Sequence, residues 1–186
     1  EATIDALEHF GYAETSLNRV ASAAGFSKGA LQHHFHSKED LIAATLDRLL
    51  QRTVQKSVPS PRSKPKGVED ALMSAWTKFI NTSGYRALME IFNAARTDKT
   101  LQKRISAELV AWGKRLDQQS LDVYESTSGD GRAGEDDVVM LLNMTRSFMR
   151  GLLIQEQYGV SKEKELAYVR KWIELISPLL ALRSRA

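Results

Sequence analysis

Residues near the N-terminus set the architecture of this chain, and they read Thr15-Ser-Leu-Asn-Arg-Val-Ala-Ser-Ala-Ala-Gly-Phe-Ser-Lys-Gly-Ala-Leu-Gln-His-His-Phe-His-Ser-Lys-Glu-Asp-Leu41. Thr15 or Ser16 can cap a short helix, and Ser27 can cap a second one that runs to about residue 35. Gly25 lies between the two, where the chain turns and a positive φ is wanted. Two short helices joined by a glycine turn form a helix-turn-helix, whose second helix enters the major groove of DNA. The stretch therefore predicts a DNA-binding element.

The same region contains no acidic residue between Thr15 and Lys38, although Glu14 and Glu39 flank it. With 23 Asp and Glu among 186 residues, about three would be expected in a window of that length. A surface that faces phosphates excludes carboxylates, because they would be repelled. A chance gap explains the pattern equally well, and the net charge of +3 does not decide between the two.

Side chains suited to DNA contact occur at defined places in the motif. Small hydroxyl residues at the helix starts can donate hydrogen bonds to phosphate oxygens, and they are Thr15, Ser16 and Ser27. Lys28 and Gly29 open the second helix, where the glycine lets the backbone approach DNA closely. Gln32 and His33 then project outward, whereas the leucine and the phenylalanine of the same helix turn inward.

Helical spacing of apolar residues continues over the rest of the chain, and no strand-like alternation appears. Predicted helices cover residues 2–10, 38–56, 68–82, 85–95, 99–125, 135–158 and 162–177. Three of the four prolines fall in residues 58–67, a composition that favours a linker. We therefore predict an all-α protein with a three-helix helix-turn-helix domain and its linking helix over residues 1–57. A second helical domain follows over residues 68–186.

The last two predicted helices differ from the others because each has two apolar faces. In the first of them, one face carries Val138, Leu142, Met149 and Leu153, and the other carries Leu141, Met144, Phe148 and Leu152. In the second, one face carries Leu166, Val169, Ile173, Ile176 and Leu180. The other carries Tyr168, Trp172, Leu175, Leu179 and Leu182. A helix at the surface of a monomer needs only one such face. Either both helices are central to a monomer core, or one face of each meets a second subunit; Pro178 should bend or end the last helix near Ser177.

Several motifs of the N-terminal region occur together, namely Thr15-Ser16-Leu17, Ala24-Gly25-Phe26-Ser27, Lys28-Gly-Ala-Leu31, His34-Phe35 and Ser37-Lys38-Glu-Asp-Leu41. In this combination, residues 4–46 resemble the DNA-binding domain of the tetracycline-repressor (TetR) family of bacterial regulators. The resemblance implies that Lys28 and His34 contact phosphate or the groove, and that Lys38 contacts phosphate at the start of the fourth helix. Gln32 stands where the family usually has tyrosine, and a glutamine can pair with an adenine edge.

Beyond this region the chain resembles the family only in organisation. The resemblance implies a helical domain that binds a small molecule, and a homodimer in which the last two helices of each subunit form a four-helix bundle. A ligand site would lie between helices and be lined by large side chains, although the ordinary role of such residues is the core. The candidates are Trp76, Phe79, Met89, Phe92, Trp112, Tyr124, Asn143, Met144 and Phe148. Their aromatic character favours an apolar or aromatic effector.

The leading hypothesis is a ligand-responsive repressor that acts as a homodimer on a near-palindromic operator in the bacterial cytoplasm, at the nucleoid. A DNA-binding regulator without an effector is the alternative. A helical enzyme with a metal on His33, His34 and His36 is weaker, because neighbouring histidines on one helix point in different directions. The chain has no cysteine and no apolar run near the roughly 18 residues of a membrane span. We therefore expect no cofactor, no metal and no membrane association.

Overall fold

The computed structural model describes residues 1–57 and 65–183, and helices dominate both ranges. The helices are α1 (Ala2–Glu14), α2 (Leu17–Ala23), α3 (Lys28–His34), α4 (Lys38–Ser57), α5 (Val68–Ala75), α6 (Ser83–Thr97), α7 (Lys99–Val123), α8 (Gly131–Gln155) and α9 (Lys162–Ile176). A π-helical turn, Trp76–Ile80, extends α5, and 3-10 turns follow α8 and α9. The predicted all-α class is confirmed. Within the described ranges, no helix combines the length and apolar character that a membrane span requires.

Contacts along the chain group it into two units. The first comprises residues 1–55 and 82–112, and the second comprises residues 56–81 and 113–186. The first unit therefore contains α6 and the first part of α7 in addition to the N-terminal helices. The sequence predicts a boundary at residues 58–67, of which residues 58–64 lie outside the described part of the chain. Domains over residues 1–57 and 68–186 remain a prediction.

The first unit is built on the packing of α1 against α6. Its fully buried aliphatic side chains include Leu7, Ile42, Leu46, Leu50, Leu88, Ile91, Leu101 and Ile105. Burial of a side chain of this size is worth about 1.5–3 kcal/mol relative to exposure. By contrast, α2 buries only Val20 and Ala21, and α3 buries no residue fully. The two short helices therefore depend on the longer helices for their support.

The first helix is interrupted where the sequence predicts its end. The predicted helix covers residues 2–10, and Gly11, which follows it, has the non-helical angles φ 72° and ψ 175°. One short turn, Tyr12 to Glu14, follows this kink and completes α1. Glycine adopts a left-handed φ at little cost, and the chain therefore changes direction at this residue.

In the second unit, α8 and α9 each bury one face. The buried residues of α8 include Val138, Leu142, Met149, Leu152 and Leu153, and those of α9 include Val169, Ile173 and Ile176. α9 ends at Ile176, and Pro178 lies in the 3-10 turn Ser177–Leu179 that follows it. The predicted effect of that proline is therefore confirmed.

Two three-residue strands were not predicted from the sequence. β1 (Tyr124–Ser126) pairs antiparallel with β2 (Leu180–Leu182), with Tyr124 opposite Leu182. The helix predicted over residues 99–125 consequently ends at Val123. Strands of this length are too short to show a readable alternation of apolar and polar residues, and their pairing depends on tertiary contacts.

Burial of Tyr124 should make the protein less stable at alkaline pH. Only 8% of this residue is exposed, and burial raises its pKa to about 12 from an ordinary value of 10.0. Below pH 10 the phenol is protonated in both states, whereas between pH 10 and about 12 the unfolded state alone loses the proton. The free energy of unfolding should therefore fall by roughly 2–3 kcal/mol over that interval. Urea unfolding of Tyr124→Phe should show a shallower decline with pH.

The exposed Tyr158 offers a matched control for this substitution. Tyr158→Phe should leave the alkaline decline as it is in the unmodified protein. Equal declines in the Tyr124→Phe variant and the unmodified protein would contradict the prediction.

Candidate nucleic-acid interface

The predicted turn between α2 and α3 is formed by local hydrogen bonds. The Ser16 hydroxyl accepts a hydrogen bond from the Arg19 N–H at 3.2 Å, which caps α2. The Ser27 hydroxyl accepts one from the Ala30 N–H at 3.2 Å, which caps α3. Gly25 has φ 73° in the turn between them. The predicted glycine turn and the serine cap of α3 are therefore confirmed, and Ser16, of the two candidates, is the cap of α2.

The inner side of the motif packs on a small apolar cluster. Ala6, Val20 and Leu41 are buried at its centre, and Leu31 and Phe35 of α3 pack against it. The predicted inward orientation of these two α3 residues is confirmed. Because they anchor one side of the helix, the opposite side faces away from the protein.

Most of the predicted DNA-contact residues are exposed, namely Ser16, Ser27, Lys28, Gly29, Gln32, His33 and His34. Neither α2 nor α3 has an acidic residue in its first turn, so their N-terminal N–H groups present positive potential to an anion. Glu14 lies close to α2, but its carboxylate is 3.4 Å from the Arg19 guanidinium, which offsets its charge. The surface is therefore suited to a polyanion.

Thr15 is not part of this surface. Its side chain is fully buried, and its hydroxyl donates a hydrogen bond to the Gly11 carbonyl at 2.8 Å. The prediction that this hydroxyl contacts phosphate does not fit the structure, because the group already pairs with the end of α1.

Lys38 is also directed into the protein. Its ammonium donates hydrogen bonds to the carbonyls of Tyr12 and of Ala13, the second at 3.2 Å, and lies 3.9 Å from the centre of the Tyr12 ring. Burial lowers the pKa of Lys38 against the opposing effect of nearby carboxylates. The phosphate contact implied by the family resemblance is therefore not the contact that this lysine makes.

Two residues near Lys38, Tyr12 and Asp98, were not predicted from the sequence. Tyr12 donates its phenolic hydrogen to Asp98 at 2.8 Å, and its backbone N–H donates to Glu90 at 3.2 Å. Tyr12 and Asp98 are 86 positions apart, and no periodicity or local motif connects them. Only the packing of α1 against α6, whose C-cap residue is Asp98, brings them together.

The predicted ligand-site residues divide between the two units. Met89, Phe92 and Trp112 belong to the first unit, where the rings of the last two are 6.0 Å apart. The Trp112 indole donates to the Thr53 hydroxyl at 3.0 Å, so its polar group is already paired within the protein. These aromatic residues therefore have a clear role as core.

The other six candidates, Trp76, Phe79, Tyr124, Asn143, Met144 and Phe148, belong to the second unit. Asn143 donates to the Asp117 carboxylate at 3.1 Å, and Arg146 donates to the same carboxylate at 3.2 Å. Phe148 stacks on Trp172 with ring centres 4.9 Å apart, whereas Met144 is exposed. These contacts give the residues different roles in the second unit, so the predicted ligand site remains a prediction.

The histidines were also considered as metal ligands. His33 and His34 are neighbours on α3 with ring centres 5.4 Å apart, and His36 lies beyond the end of the helix. Over residues 1–57 and 65–183, no group of three or more His, Cys, Asp or Glu is placed to hold a metal ion.

A capped pair of short helices on an apolar support, with an exposed second helix free of acidic residues, has the arrangement of a helix-turn-helix, a motif of DNA-binding proteins. Residues 1–45 match the model of the bacterial regulatory proteins of the tetR family. The N-terminal region of the chain is accordingly similar to the DNA-binding part of that family.

Curated relatives and solved structures extend the similarity beyond this region. An uncharacterized HTH-type transcriptional regulator of Mycobacterium tuberculosis is 32% identical over 123 residues, which cover 62% of this chain and 60% of that protein. The HTH-type transcriptional regulator CymR of Pseudomonas putida is 26% identical over 165 residues, covering 88% of this chain and 79% of its own length. A putative TetR-family transcriptional regulator from Rhodococcus sp. has a similar fold, with a TM-score of 0.66, 19% identity and 95% of each chain covered.

Proposed function

We propose that the chain is a sequence-specific transcriptional regulator that acts on bacterial DNA in the cytoplasm, most simply as a ligand-responsive repressor. The observation that carries the proposal is the exposed outer side of α3, where Lys28, Gly29, Gln32 and His33 lie on a helix that contains no acidic residue. Such a surface attracts phosphate through charge and helix N-termini, and reads bases through side chains that reach the groove. Gln32 is the candidate for pairing with an adenine edge.

The proposed regulator is a homodimer joined through α8 and α9. The face of α8 opposite its buried residues exposes Met140 and Met144, and α9 exposes Tyr168, Leu175 and Leu179. Exposed apolar side chains on two neighbouring helices favour an interaction surface, and a two-fold axis lets the same surface pair with itself. Met144, also a ligand-site candidate, is assigned here to the dimer face.

A dimer of this kind would bind a near-palindromic operator. Its two α3 helices would enter successive major grooves roughly 34–36 Å apart. A small molecule would release DNA only if it binds more tightly to a state with a different separation of the two helices.

The proposed effector is an apolar or aromatic small molecule. Similar folds have been solved with ligands bound: a putative regulator from Saccharomonospora viridis in complex with choline, and FadR of Bacillus subtilis in complex with stearoyl-CoA. These ligands belong to those proteins and differ widely in chemistry. A regulator without an effector is the alternative, and operator binding that no compound in a screen changes would favour it.

The DNA-binding proposal can be tested by titrating salt. Affinity should be measured for the duplex upstream of the protein's own gene and for a scrambled duplex, and operators elsewhere can be found by selection from genomic DNA. Stronger binding to the natural duplex that weakens steeply with salt is expected, since protein cations displace counterions from phosphates. The absence of binding to any duplex at low salt would overturn the proposal.

Lys28→Ala should weaken binding to every sequence and reduce the salt dependence. The substitution removes one phosphate contact from each subunit of the proposed dimer, and each lost contact lowers the slope of log affinity against log salt concentration by about 0.9, so the slope should fall by about 1.8. The control is Lys162→Ala at the start of α9, where the lysine is also exposed. An unchanged slope in Lys28→Ala would contradict the proposed role of this lysine.

A further inference from the structure

Three helix ends meet around Tyr12 in the first unit. Tyr12 lies in the last turn of α1, Lys38 is the first residue of α4, and Asp98 lies between α6 and α7. The Tyr12 phenol donates to Asp98, and the Lys38 ammonium donates to the Tyr12 carbonyl and covers the Tyr12 ring. We refer to these three residues as the Tyr12 cluster.

Asp98 is a fixed acceptor in the Tyr12 cluster. One of its oxygens accepts a hydrogen bond from the Leu101 N–H at 2.9 Å, as expected of an aspartate that caps the start of α7. This bond and the bond from Tyr12 lower the pKa of Asp98. Burial and the neighbouring Asp98 carboxylate raise the pKa of Tyr12, so the phenol stays protonated and continues to donate.

The Lys38 ammonium donates hydrogen bonds to two carbonyls at the C-terminal end of α1. The last carbonyls of a helix have no partner within it and carry partial negative charge, so an ammonium there is stabilised. The aromatic face of Tyr12 adds a cation–π contact. If this lysine left the site to reach a phosphate, the Ala13 carbonyl would lose this donor and the Tyr12 carbonyl would keep only the hydrogen bond from the Thr15 N–H. Lys28, in contrast, is an exposed residue in the first turn of α3.

A second contact joins α4 to α7 in the same unit. The Arg104 guanidinium is 2.6 Å from the Asp40 carboxylate, two residues after Lys38. Both ends of the connection between α3 and α4 are thus constrained: Phe35 by the apolar cluster, and the start of α4 by contacts with α1 and α7. The position of α3 on its support depends on these contacts.

We propose that Lys38 is a positioning residue and does not contact phosphate. Together with Tyr12 and Asp98, it holds the end of α1 and the start of α4 against the junction of α6 and α7. These contacts fix the positions of α2 and α3 for DNA binding. This assignment differs from the role that the family resemblance implies for Lys38. It rests on the proposed DNA-binding function. It also makes Asp98, which lies far outside the helix-turn-helix in sequence, a determinant of DNA affinity.

The test compares salt titrations of DNA binding by Lys38→Met and Lys28→Met, two substitutions that each remove one ammonium. Lys28→Met should lower the slope by about 1.8, which is about 0.9 for each subunit of the proposed dimer. Lys38→Met should weaken binding roughly three- to tenfold at every salt concentration and leave the slope unchanged. A slope reduced as much in Lys38→Met as in Lys28→Met would overturn the inference.

Tyr12→Phe and Asp98→Asn test the same cluster without replacing a lysine. If Lys38→Met fails to fold, these two variants test whether the Tyr12 cluster positions α2 and α3. Each should weaken DNA binding at constant slope, and the double variant should be no weaker than the more affected single variant, because both remove one hydrogen bond. Asp122→Asn on α7 is the control. Lower Tm values with unchanged affinity of the folded protein would indicate a contribution to stability alone and would overturn the positioning role.

NMR of the DNA-free protein separates this inference from the proposed function. The Lys38 ε-methylene protons should resonate upfield of those of Lys28, since they adjoin an ammonium nitrogen that lies 3.9 Å from the centre of the Tyr12 ring. Tyr12→Leu should abolish the difference. If this shift is seen but no duplex binds, the proposed function fails and the assignment of Lys38 as a positioning residue for DNA binding fails with it. If selective binding is seen without the shift, the inference alone is overturned.

Discussion

Replacing Leu175 by arginine should convert the protein from a dimer to a monomer and reduce its affinity for the operator by at least about 100-fold. Leu175 lies on α9 and is 58% exposed in the single chain, on the side opposite Ile173 and Ile176. In the proposed dimer this side is buried, and an unpaired arginine there would be desolvated at high cost. A monomer binds one half-site at a time, so the second half-site no longer adds to the affinity.

Sedimentation velocity and a DNA titration measure these two effects on the same sample. Val110→Arg is the matched control, because Val110 is 60% exposed on α7 and lies outside the proposed interface. It should remain dimeric and bind the operator normally. A Leu175→Arg protein that sediments as a dimer would show that α9 does not form the interface. Monomerisation without loss of operator affinity would contradict the requirement for two half-sites.

Leu88→Ala should lower the free energy of unfolding by about 2–5 kcal/mol, the range for deletion of a fully buried leucine. Leu88 lies on α6, and its side chain has no solvent exposure. The substitution removes apolar burial and leaves a cavity that the rigid packing of α1 and α6 can fill only in part. Because α2 and α3 rely on this support, operator binding should also be lost at temperatures where the unmodified protein still binds.

Chemical denaturation at one fixed protein concentration measures the change, since a dimer's stability depends on concentration. Val110→Ala serves as the control and should change the free energy of unfolding by less than about 0.5 kcal/mol. A loss of under roughly 1 kcal/mol in Leu88→Ala would mean that the core around α6 collapses readily onto the smaller side chain.

The sequence alone was enough for the helix-turn-helix, because the interactions that form it are local. Ser16 and Ser27 cap helices within three residues of themselves, and Gly25 supplies the turn from its own backbone. The inward position of Leu31 and Phe35 follows from the helical period. The two apolar faces of α8 and α9 were likewise readable, since a face is a property of one helix.

Tertiary structure decided the rest, because the deciding contacts join residues that are distant in sequence. Thr15 and Lys38 match phosphate-binding positions in the sequence. In the structure, however, the Thr15 hydroxyl and the Lys38 ammonium both donate hydrogen bonds to carbonyls at the end of α1. The partnership of Tyr12 with Asp98 exists only because α1 packs against α6. The pairing of β1 with β2 also requires the chain to return to the end of α7 after α9. A polar side chain forms a hydrogen bond with a partner that tertiary packing places within reach. When that partner is distant in sequence, a motif of neighbouring residues does not identify it.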